Sequence, residues 1–477
     1  MQPRYNPKLK MSLPPLGFGV MRLPINSDGT FSVEVHSLLA EAYECGINYF
    51  DTAYNYLGGH SEELIRDAIV AHYPRSSFYI ADKLPVWLCA DKSDMERIFQ
   101  IELERLGVDF IDFYLLHGLN RSTWADAYSN GVLDFIEQKK REGKIHKIGF
   151  SMHDDVQTLK LILDAYKWEF ALLQINYYDW IALRAKENYD LLEERGIPCM
   201  VMEPVGGGRL AKLPDDAEKL MTTVRPNDSI ASWALRFIAN LPNVVVTLSG
   251  MSNSEQLLDN ISVFSTPKPL SDTEQTVLND VADILSNSNT IPCTYCRYCL
   301  EECPKDIAIS HIFQIYNDCA MFEHARALNL EYNIIIPQSR RGGNCVECGK
   351  CADRCPQKID IPQQLKMVHN TAVGLALGVD VGKLKENLPS ESLVICFGAG
   401  EMGCNALAVL RECGCKIDYF CDNAEHLWGT EIDGVETISP SQLCKLHQSQ
   451  KVQVLITSGY HDEIKAQLGE IGISTVS

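Results

Sequence analysis

The pattern of apolar and polar positions divides the first half of the chain into alternating short and long segments. Eight short apolar runs predict β-strands, at residues 16–21, 47–51, 78–81, 110–116, 145–150, 172–175, 199–202 and 244–248. Each run is followed by a segment with a helical period of apolar residues, at 32–45, 61–72, 92–106, 131–142, 154–166, 182–194, 229–240 and 254–264. Eight strands that alternate with eight helices predict a closed parallel (β/α)8 barrel, or TIM barrel, over residues 1–268.

Four polar side chains lie at the ends of strands in the predicted barrel. Asp51 and Tyr56 come at the end of the second strand, Lys83 after the third and His117 after the fourth. Because chemistry in such barrels occurs at the carboxyl ends of the strands, we expect these residues to lie close together. A lysine ammonium lowers the pKa of a neighbouring tyrosine, an aspartate keeps the lysine charged, and a histidine can hydrogen-bond a carbonyl oxygen. Each residue alone also fits a structural role, but the four together indicate a proton-donating site.

These residues lie in motifs that resemble those of the aldo-keto reductase family. The motifs are Gly46-Ile-Asn-Tyr-Phe-Asp51-Thr-Ala, Leu115-Leu-His117, Gly149-Phe-Ser151, Gln174-Ile-Asn176-Tyr177 and Gly250-Met-Ser252. The resemblance covers the whole first half of the chain. It implies hydride transfer from a nicotinamide to a small-molecule carbonyl, or oxidation of the alcohol. It also implies that Tyr56 is the general acid, that Lys83 and Asp51 tune it, and that His117 orients the substrate.

The same resemblance implies which residues contact the cofactor. They are Ser151 and Gln174 for the carboxamide, Gly207 and Arg209 in the loop 206–209 for the pyrophosphate, and Ser252, Gln256 and Asn260 for the adenosine end. For the substrate pocket, the aromatic candidates are Trp124, Tyr128 and Trp180, for which packing in the core or on the surface is an equal alternative.

Two departures from the family pattern concern the cofactor. Where the family has Tyr-Ser-Pro, this chain has Met202-Glu203-Pro204, and the Met202 thioether can still lie on the nicotinamide ring. Glu203 would repel a pyrophosphate unless a cation such as Arg209 pairs with it. The segment 249–265 contains no Lys or Arg to bind a 2'-phosphate, so both NADH and NADPH remain candidates.

A second pattern, C-x2-C-x2-C-x3-C-P, occurs twice after the predicted barrel. This is the ligand pattern of bacterial two-cluster ferredoxins, in which the fourth cysteine of each run ligates the other cluster. One [4Fe-4S] cluster is therefore predicted at Cys293, Cys296, Cys299 and Cys355, and the other at Cys345, Cys348, Cys351 and Cys303.

Zinc and disulfides are the alternatives for these cysteines. Structural zinc sites use separate pairs of ligands, which does not account for the third cysteine or for the repeated Cys-Pro. A chain of 477 residues with 46% hydrophobic content can form cores without disulfides. Its first residues do not form a basic region followed by an apolar run, so we expect a reducing cytoplasm. The abundance of thiols suggests an anaerobe.

The cysteine segment is predicted to be mainly helical and to span residues 269–374. A helix at 271–286, capped by Ser271 and Glu274, would link it to the barrel. The long spacing between the two cysteine runs, with a helical pattern at 307–330, is more typical of the helical ferredoxins of multi-subunit reductases than of compact two-cluster ferredoxins.

The last part of the chain predicts a small Rossmann-like domain at 391–477, after a linker at 375–390. A strand at 393–397 runs into Gly398-x-Gly400-x-x-Gly403 and a helix at 404–412, and a strand at 417–421 ends at Asp422. One further strand is predicted at 452–457. In a dinucleotide-binding unit the glycines approach a pyrophosphate and the acid binds a ribose. The unit resembles the small nucleotide-binding domains fused to sugar-modifying enzymes. The alternative is a glycine turn that serves helix packing alone.

Composition excludes two classes of partner. The formal net charge of −20 at pH 7 disfavours a nucleic-acid surface, and no apolar run is long enough for membrane insertion.

Three functions fit the sequence. The first is an NAD(P)H-dependent, iron-sulfur oxidoreductase of the aldo-keto reductase type. The second is an NAD(P)H-linked electron-transfer module with a flavin or a second nucleotide and a ferredoxin or flavoprotein partner. The third is a redox or nucleotide sensor without turnover, which would not need the four proton-transfer residues.

Overall fold

The computed structural model describes residues 1–26, 30–287, 289–322, 328–329, 331–377, 392–412, 415–458 and 460–473. The chain divides into two compact units, Met1–Ser288 and Asn289–Ser477.

The first unit is built around a closed barrel of eight parallel strands, which confirms the predicted (β/α)8 fold. The strands of this unit are β1 Arg4–Asn6, β2 Met11–Leu13, β3 Leu16–Gly19, β4 Tyr49–Asp51, β5 Tyr79–Leu84, β6 Ile111–Leu119, β7 Ile145–Met152, β8 Phe170–Gln174, β9 Cys199–Met202 and β10 Val244–Ser249. Strands β3 to β10 form the barrel in chain order, and β10 closes it on β3.

Helices surround the barrel. They are α1 Val33–Glu44, α2 Ser61–Ile65, α3 Lys92–Leu106, α4 Arg121–Ser129, α5 Val132–Arg141, α6 Val156–Ala165, α7 Asp179–Ala182, α8 Ala185–Arg195, α9 Asp215–Val224, α10 Ile230–Ala239, α11 Ser254–Ser265 and α12 Asp272–Asn287. Shorter turns are the 3-10 segments Tyr56–Gly59, Arg75–Ser77, Val86–Leu88 and Gly206–Ala211 and the π-helical turn Arg66–Val70. Helix α3 has the predicted bounds because Asp91 caps the N–H groups of Ser93 and Asp94 and Gly107 ends it at φ 65°.

The barrel is filled from inside and closed at its amino end by a hairpin that the sequence did not predict. Large side chains such as Phe113 and Phe170 fill the interior, and Leu9 and Leu13 of the β1–β2 hairpin join the same cluster. Gly149 leaves the space for this packing, since a Cβ there would lie 2.5 Å from the Phe170 ring.

Helix α12 packs on the barrel rather than serving as a separate link to the cysteine segment. Ser271 and Glu274 form the predicted cap, with the Ser271 N–H donating to Glu274 Oε2 at 2.7 Å. The apolar face with Val277, Leu278 and Val281 belongs to the same core as the barrel helices. Burial of this face therefore extends the first unit past the predicted boundary at residue 268.

Three fully buried carboxyl groups lie behind the barrel wall, between β5, α2 and α3. Oxygens of Glu62, Asp82 and Glu102 lie within 4.8 Å of one another. Arg105 donates to Glu62 at 2.8 Å and the Tyr114 hydroxyl donates to Glu102 at 2.6 Å. Burial raises the pKa of all three groups, that of Glu62 to about 7, and mutual repulsion raises those of Asp82 and Glu102 further.

We predict that this cluster makes the barrel less stable at alkaline pH. A pKa that is higher in the folded state stabilises the fold below the unfolded value near 4.5, and this contribution is lost as pH rises through about 7 for Glu62. The loss from Glu62 alone is roughly 3 kcal/mol. In Glu102→Gln, whose amide oxygen can still accept from Tyr114, the free energy of unfolding should fall less steeply as pH rises.

The measurement is urea unfolding between about pH 5 and pH 9, followed by tryptophan fluorescence. The signal reports mainly the barrel, because only Trp428 of the six tryptophans lies outside the first unit. Glu104→Gln, an exposed change on the same helix, is the control and should match the unmodified protein. Equal slopes for Glu102→Gln and the unmodified protein would contradict the prediction.

The cysteine segment begins the second unit. Its helices are α13 Tyr298–Glu301, α14 Ile309–Phe322, α15 Lys350–Asp353 and α16 Ile361–Leu377, with a π-helical turn Glu331–Ile335 and 3-10 turns Gln338–Arg340 and Gly342–Asn344. The helix predicted at 307–330 is present over α14, while residues 323–327 and 330 lie outside the described residues. One apolar core joins these helices around Ile312, Tyr332 and Leu365.

The rest of the second unit is an α/β sheet. Its elements are β11 Leu393–Phe397, α17 Glu401–Glu412, β12 Tyr419–Cys421, β13 Glu431–Ile432, β14 Val435–Ile438, α18 Pro440–Ser449, β15 Val452–Ile456 and α19 His461–Glu470. The strand order is β13-β14-β12-β11-β15, parallel except for β13. The sequence predicted three of these strands and missed the short β13 and β14. Of the predicted linker 375–390, residues 378–390 lie outside the described residues.

Candidate active site and cysteine sites

The four predicted proton-transfer residues lie together at the carboxyl ends of three adjacent strands. Asp51 ends β4, Lys83 lies near the end of β5, His117 lies in β6, and Tyr56 begins the 3-10 turn after β4. All four are buried, with exposures of 4%, 1%, 2% and 8% for Asp51, Lys83, His117 and Tyr56.

Lys83 is the centre of this group. Its ammonium donates to Asp51 Oδ1 at 2.6 Å and to the Thr52 carbonyl oxygen at 2.5 Å, and it lies 4.6 Å from the Tyr56 ring centroid. Burial raises the pKa of Asp51, and the neighbouring Lys83 opposes this rise. The Lys83 ammonium is thus fixed by two acceptors and lies beside the Tyr56 ring.

His117 faces the tyrosine from the next strand. The two rings are 5.7 Å apart with an interplanar angle of 77°, and the Trp87 ring is 5.1 Å from His117 on another side. Sequence reasoning missed Trp87, although its position just after a barrel strand is a usable signal.

The aromatic candidates from the sequence pack elsewhere. Trp124 contacts Tyr128 and Trp168, Tyr128 is 55% exposed, and Trp180 packs against Tyr189 and Phe237 on the helical layer. They follow the apolar faces of helices rather than the ends of strands.

The residues expected at the carboxamide lie on adjacent strands. Ser151 Oγ on β7 accepts a hydrogen bond from the Gly118 N–H at 2.8 Å. Gln174, at the end of β8, donates from Nε2 to Asp179 Oδ2 at 2.7 Å. Asp179 was not singled out by the sequence, because a single acid at the start of a four-residue helix carries no pattern of its own.

The loop expected at the pyrophosphate is a run of three left-handed glycines. Gly206, Gly207 and Gly208 have φ values of 56°, 69° and 102°. Successive N–H groups in such a turn can form a concave anion-binding surface. Arg209 follows, 9% exposed, with its guanidinium 5.2 Å from the Tyr178 ring centroid.

Glu203 has a cationic partner that the sequence did not indicate. Its carboxylate forms an ion pair with Arg22, which follows the first barrel strand, and Met202 beside it is half-buried at the end of β9. Arg22 follows β3 and Glu203 follows β9, on either side of β10, where the barrel closes. The two residues are too far apart in the sequence for a local pattern to predict this ion pair.

The residues expected at the adenosine end form two groups. The Ser252 N–H donates to Gln256 Oε1 at 2.8 Å, whereas the Asn260 amide donates to Ser249 Oγ at 2.9 Å and is buried. Basic side chains flank the segment from outside it. A cavity of about 400 Å³ beside α11 is lined by Arg225, Arg236 and Lys268 together with acids such as Asp228 and Asp259.

The eight motif cysteines lie near one another in the cysteine segment. A small cavity is lined by Cys303, Cys345, Cys348 and Cys351. Burial raises the pKa of the Cys299 thiol, and the neighbouring Cys296, Cys293, Cys355 and Cys351 raise it further.

The backbone repeats at equivalent positions of the two cysteine runs. Residues with left-handed φ are Tyr295, Arg297 and Asp306 around the first run and Glu347, Gly349 and Lys358 around the second. In the first, the Tyr295 N–H donates to Cys293 Sγ at 3.4 Å. Non-glycine residues adopt this conformation only where the surroundings require it. The turns and their thiol quartets fit cuboidal iron-sulfur clusters.

In the glycine-rich turn after β11, two of the three glycines have no space for a side chain and the third, Gly400, has open space beside it. A Cβ at Gly398 would lie 2.5 Å from the Thr457 carbonyl oxygen, and one at Gly403 would lie 2.1 Å from that of Gly398. A Cβ at Gly400 would meet nothing within 4 Å. The Asp422 carboxylate accepts from the N–H groups of Ala399 and Ala424, both at 2.8 Å.

Comparison with known proteins agrees with these two sites. Residues 15–282 match the model of the Aldo/keto reductase family, and residues 292–359 match that of the 4Fe-4S dicluster domain. The uncharacterized oxidoreductase YqkF of Bacillus subtilis is 29% identical over 276 residues, which cover 52% of this chain and 85% of that protein. The NADH-specific methylglyoxal reductase of Escherichia coli is 25% identical over 292 residues, which cover 52% and 87%.

A solved structure shares the barrel fold. The aldo-keto reductase AKR11C1 from Bacillus halodurans, in its holo form, is 24% identical with a TM-score of 0.50, covering 59% of this chain and 96% of its own. Among the described residues, no helix combines the length and the apolar character needed to cross a membrane. The matched barrel segment spans more than half of the sequence, and the chain belongs to the aldo/keto reductase family of oxidoreductases, with a 4Fe-4S dicluster domain after its barrel.

Proposed function

We propose that the barrel catalyses NAD(P)H-dependent reduction of a small-molecule carbonyl, and the reverse oxidation of the alcohol. The observation that carries this proposal is the position of the Lys83 ammonium, bonded to Asp51 at 2.6 Å and 4.6 Å from the Tyr56 ring centroid, with His117 facing the same ring. A non-catalytic sensor would have no use for a buried ion pair beside a tyrosine at a strand end.

In this mechanism each residue acts on the substrate oxygen or on its neighbour. The cofactor supplies a hydride to the carbonyl carbon when it is bound. Tyr56 donates its hydroxyl proton to the carbonyl oxygen, and the adjacent Lys83 ammonium stabilises the resulting tyrosinate. Asp51 keeps Lys83 charged and fixed, while His117 donates a hydrogen bond that orients the carbonyl. The Trp87 ring limits the space beside His117.

Contacts with the cofactor follow from the groups around this site. Ser151 and Gln174 would hold the carboxamide, Met202 would contact the ring, and the N–H groups around Gly207 together with Arg209 would bind the pyrophosphate. Ser252, Gln256 and Asn260 would contact the adenosine end. Both NADH and NADPH remain candidates, since one relative is named as NADH-specific and Arg225 and Lys268 flank the segment that lacks basic residues.

We propose that the two cysteine quartets each hold a [4Fe-4S] cluster. One quartet is Cys293, Cys296, Cys299 and Cys355, and the other is Cys345, Cys348, Cys351 and Cys303. Clusters of this type exchange single electrons when bound. Hydride transfer moves two electrons together, so an exchange between the two centres requires a carrier that splits the pair, such as a flavin in a partner protein. Without that carrier the clusters serve the stability of the fold.

A second candidate function concerns the C-terminal sheet, which we propose binds a nucleotide as a Rossmann-like half domain. Its parallel strand order β14-β12-β11-β15 and the turn between β11 and α17 support this proposal. Gly398 and Gly403 are needed for close packing, but the open position at Gly400 allows a phosphate to approach. Asp422 lies where such units bind a ribose.

We predict that Tyr56→Phe abolishes carbonyl reduction while leaving cofactor binding intact, because the variant lacks only the proton donor. The rate should fall at least about 100-fold, with unchanged fluorescence titration by NADH or NADPH. Tyr54→Phe, on the same loop, is the matched control and should keep most of the activity. Retention of carbonyl reduction by Tyr56→Phe would refute the role assigned to Tyr56. If the unmodified protein transferred electrons to a dye but reduced no carbonyl, the function would be that of an electron-transfer module instead.

We predict that protein purified without oxygen contains two four-iron clusters per chain. The double variant Cys345→Ala, Cys348→Ala should lose about half of the iron and sulfide, because it removes two ligands of one quartet only. Cys444→Ala, outside both runs and half-buried, should lose none. Zinc in place of iron in the unmodified protein, measured by elemental analysis, would rule out the clusters.

We predict that Gly400→Leu blocks nucleotide binding at the C-terminal sheet without unfolding it, since a side chain at this position points into open space. Isothermal titration with NAD⁺ should then show one binding site fewer than in the unmodified protein. Gly469→Leu, at another open glycine position in α19, should keep every site. Equal stoichiometry for both variants and the unmodified protein would mean that the turn serves packing alone.

A further inference from the structure

Asp179 is hydrogen-bonded to Gln174, one of the residues expected to hold the nicotinamide carboxamide. It begins the short helix α7 and is 5% exposed. Its Oδ2 accepts from Gln174 Nε2 at 2.7 Å and from Asn176 Nδ2 at 2.6 Å. Its own N–H donates to Asn176 Oδ1 at 2.8 Å. Asn176 therefore holds Asp179 at two points, one on the carboxylate and one on the backbone N–H.

A carboxylate at this point decides which way the Gln174 amide turns. The Asp179 Oδ2 atom accepts from two side-chain N–H groups, so the nitrogen end of the glutamine amide faces it. The carbonyl end of Gln174 then turns away from Asp179. An asparagine or a water in place of Asp179 could bond either end of the amide and would not select the nitrogen end.

The orientation matters because a carboxamide needs one donor and one acceptor. Ser151 Oγ already accepts from the Gly118 N–H, so its own hydroxyl hydrogen is the group that can donate to a carbonyl oxygen. The matching requirement is an acceptor for the carboxamide NH2 group, which is the carbonyl end of Gln174. With the amide reversed, two N–H groups would face each other.

Asn176 connects this arrangement to the next strand end. Its Nδ2 also donates to the Glu203 carbonyl oxygen at 3.1 Å. Glu203 is held in a left-handed conformation, at φ 55°, and its side chain pairs with Arg22. The group that fixes Gln174 is thereby fixed to the backbone beside Met202, the residue expected at the nicotinamide ring.

We propose that Asp179 is a positioning residue that sets the orientation of the Gln174 amide, so that Gln174 accepts from the amino group of the nicotinamide carboxamide. This inference rests on the proposed cofactor site of the barrel. It assigns to a buried acid outside the proton-transfer group a role in recognising one end of a carboxamide.

The test compares NAD⁺ or NADP⁺ with the corresponding 3-acetylpyridine analogue, in which a methyl group replaces the amino group. Each displaces the fluorescent reduced cofactor from the full-length protein. The unmodified protein should bind the natural cofactor about two- to tenfold more tightly than the analogue, the value of one neutral hydrogen bond. In Asp179→Asn this ratio should fall to about one.

Asp190→Asn, an exposed change on α8, should keep the ratio of the unmodified protein. Asp179→Glu retains an accepting carboxylate and should restore part of the ratio. If Asp179→Asn does not fold, as judged by circular dichroism, Asp179→Ala serves the same test, because it also removes the carboxylate that accepts from the amide nitrogen.

The outcomes separate the inference from the function on which it rests. If the Asp179 variants weaken binding of the natural cofactor and of the analogue by the same factor, the ratio of the two affinities is unchanged. Asp179 then has a merely structural role and the inference is overturned. If the unmodified protein binds neither reduced cofactor, the proposed cofactor site itself is wrong and the inference goes with it.

Discussion

The ion pair between Lys83 and Asp51 is the interaction on which the active site depends. A lysine that is 1% exposed is stable as an ammonium only where its desolvation is offset by close acceptors, and here these are the Asp51 carboxylate and the Thr52 carbonyl oxygen. Removing one partner of such a pair leaves a buried charge, at a cost of about 3–5 kcal/mol.

The closed barrel makes that arrangement possible. Parallel strands of a barrel place the ends of β4, β5 and β6 side by side, so Asp51, Lys83 and His117 meet without any long loop. The same principle serves Ser151 and Gln174 on the next two strands. Strand pairing therefore holds each of these site residues in place. The side chains at the end of the neighbouring strand determine its surroundings.

Much of this could be predicted from the sequence, for a physical reason. Buried parallel strands need continuous apolar runs, and cluster ligation needs fixed cysteine spacing, so both leave a local signal. Contacts between distant segments leave none. Arg22 pairs with Glu203 across 181 positions, and Asp179, at the start of the short helix α7, accepts a hydrogen bond from Gln174.

The carboxyl groups behind the barrel wall show another limit of sequence reasoning. Amphipathic patterns place acidic residues on the outer faces of helices, yet Glu62 and Glu102 turn inward and meet Asp82. The β1–β2 hairpin was missed because Leu9 and Leu13 are too few to form an apolar run, although both are buried. In each case tertiary packing decides the position and local composition does not.

Helix α16 lies outside the matched dicluster segment, which ends at residue 359, but it contributes to the structure on both sides of that limit. Pro362 and Leu365 line the cavity with Cys345, Cys348 and Cys351, whereas Val373 on the same helix belongs to the core of the C-terminal sheet. A fragment that ended with the matched dicluster segment at residue 359 would lack this helix and would expose the apolar surfaces that it covers on both sides. Gene fusions and truncations that respect the family borders would therefore cut through a shared helix, so an intact cysteine segment and an intact sheet require both parts in one fragment.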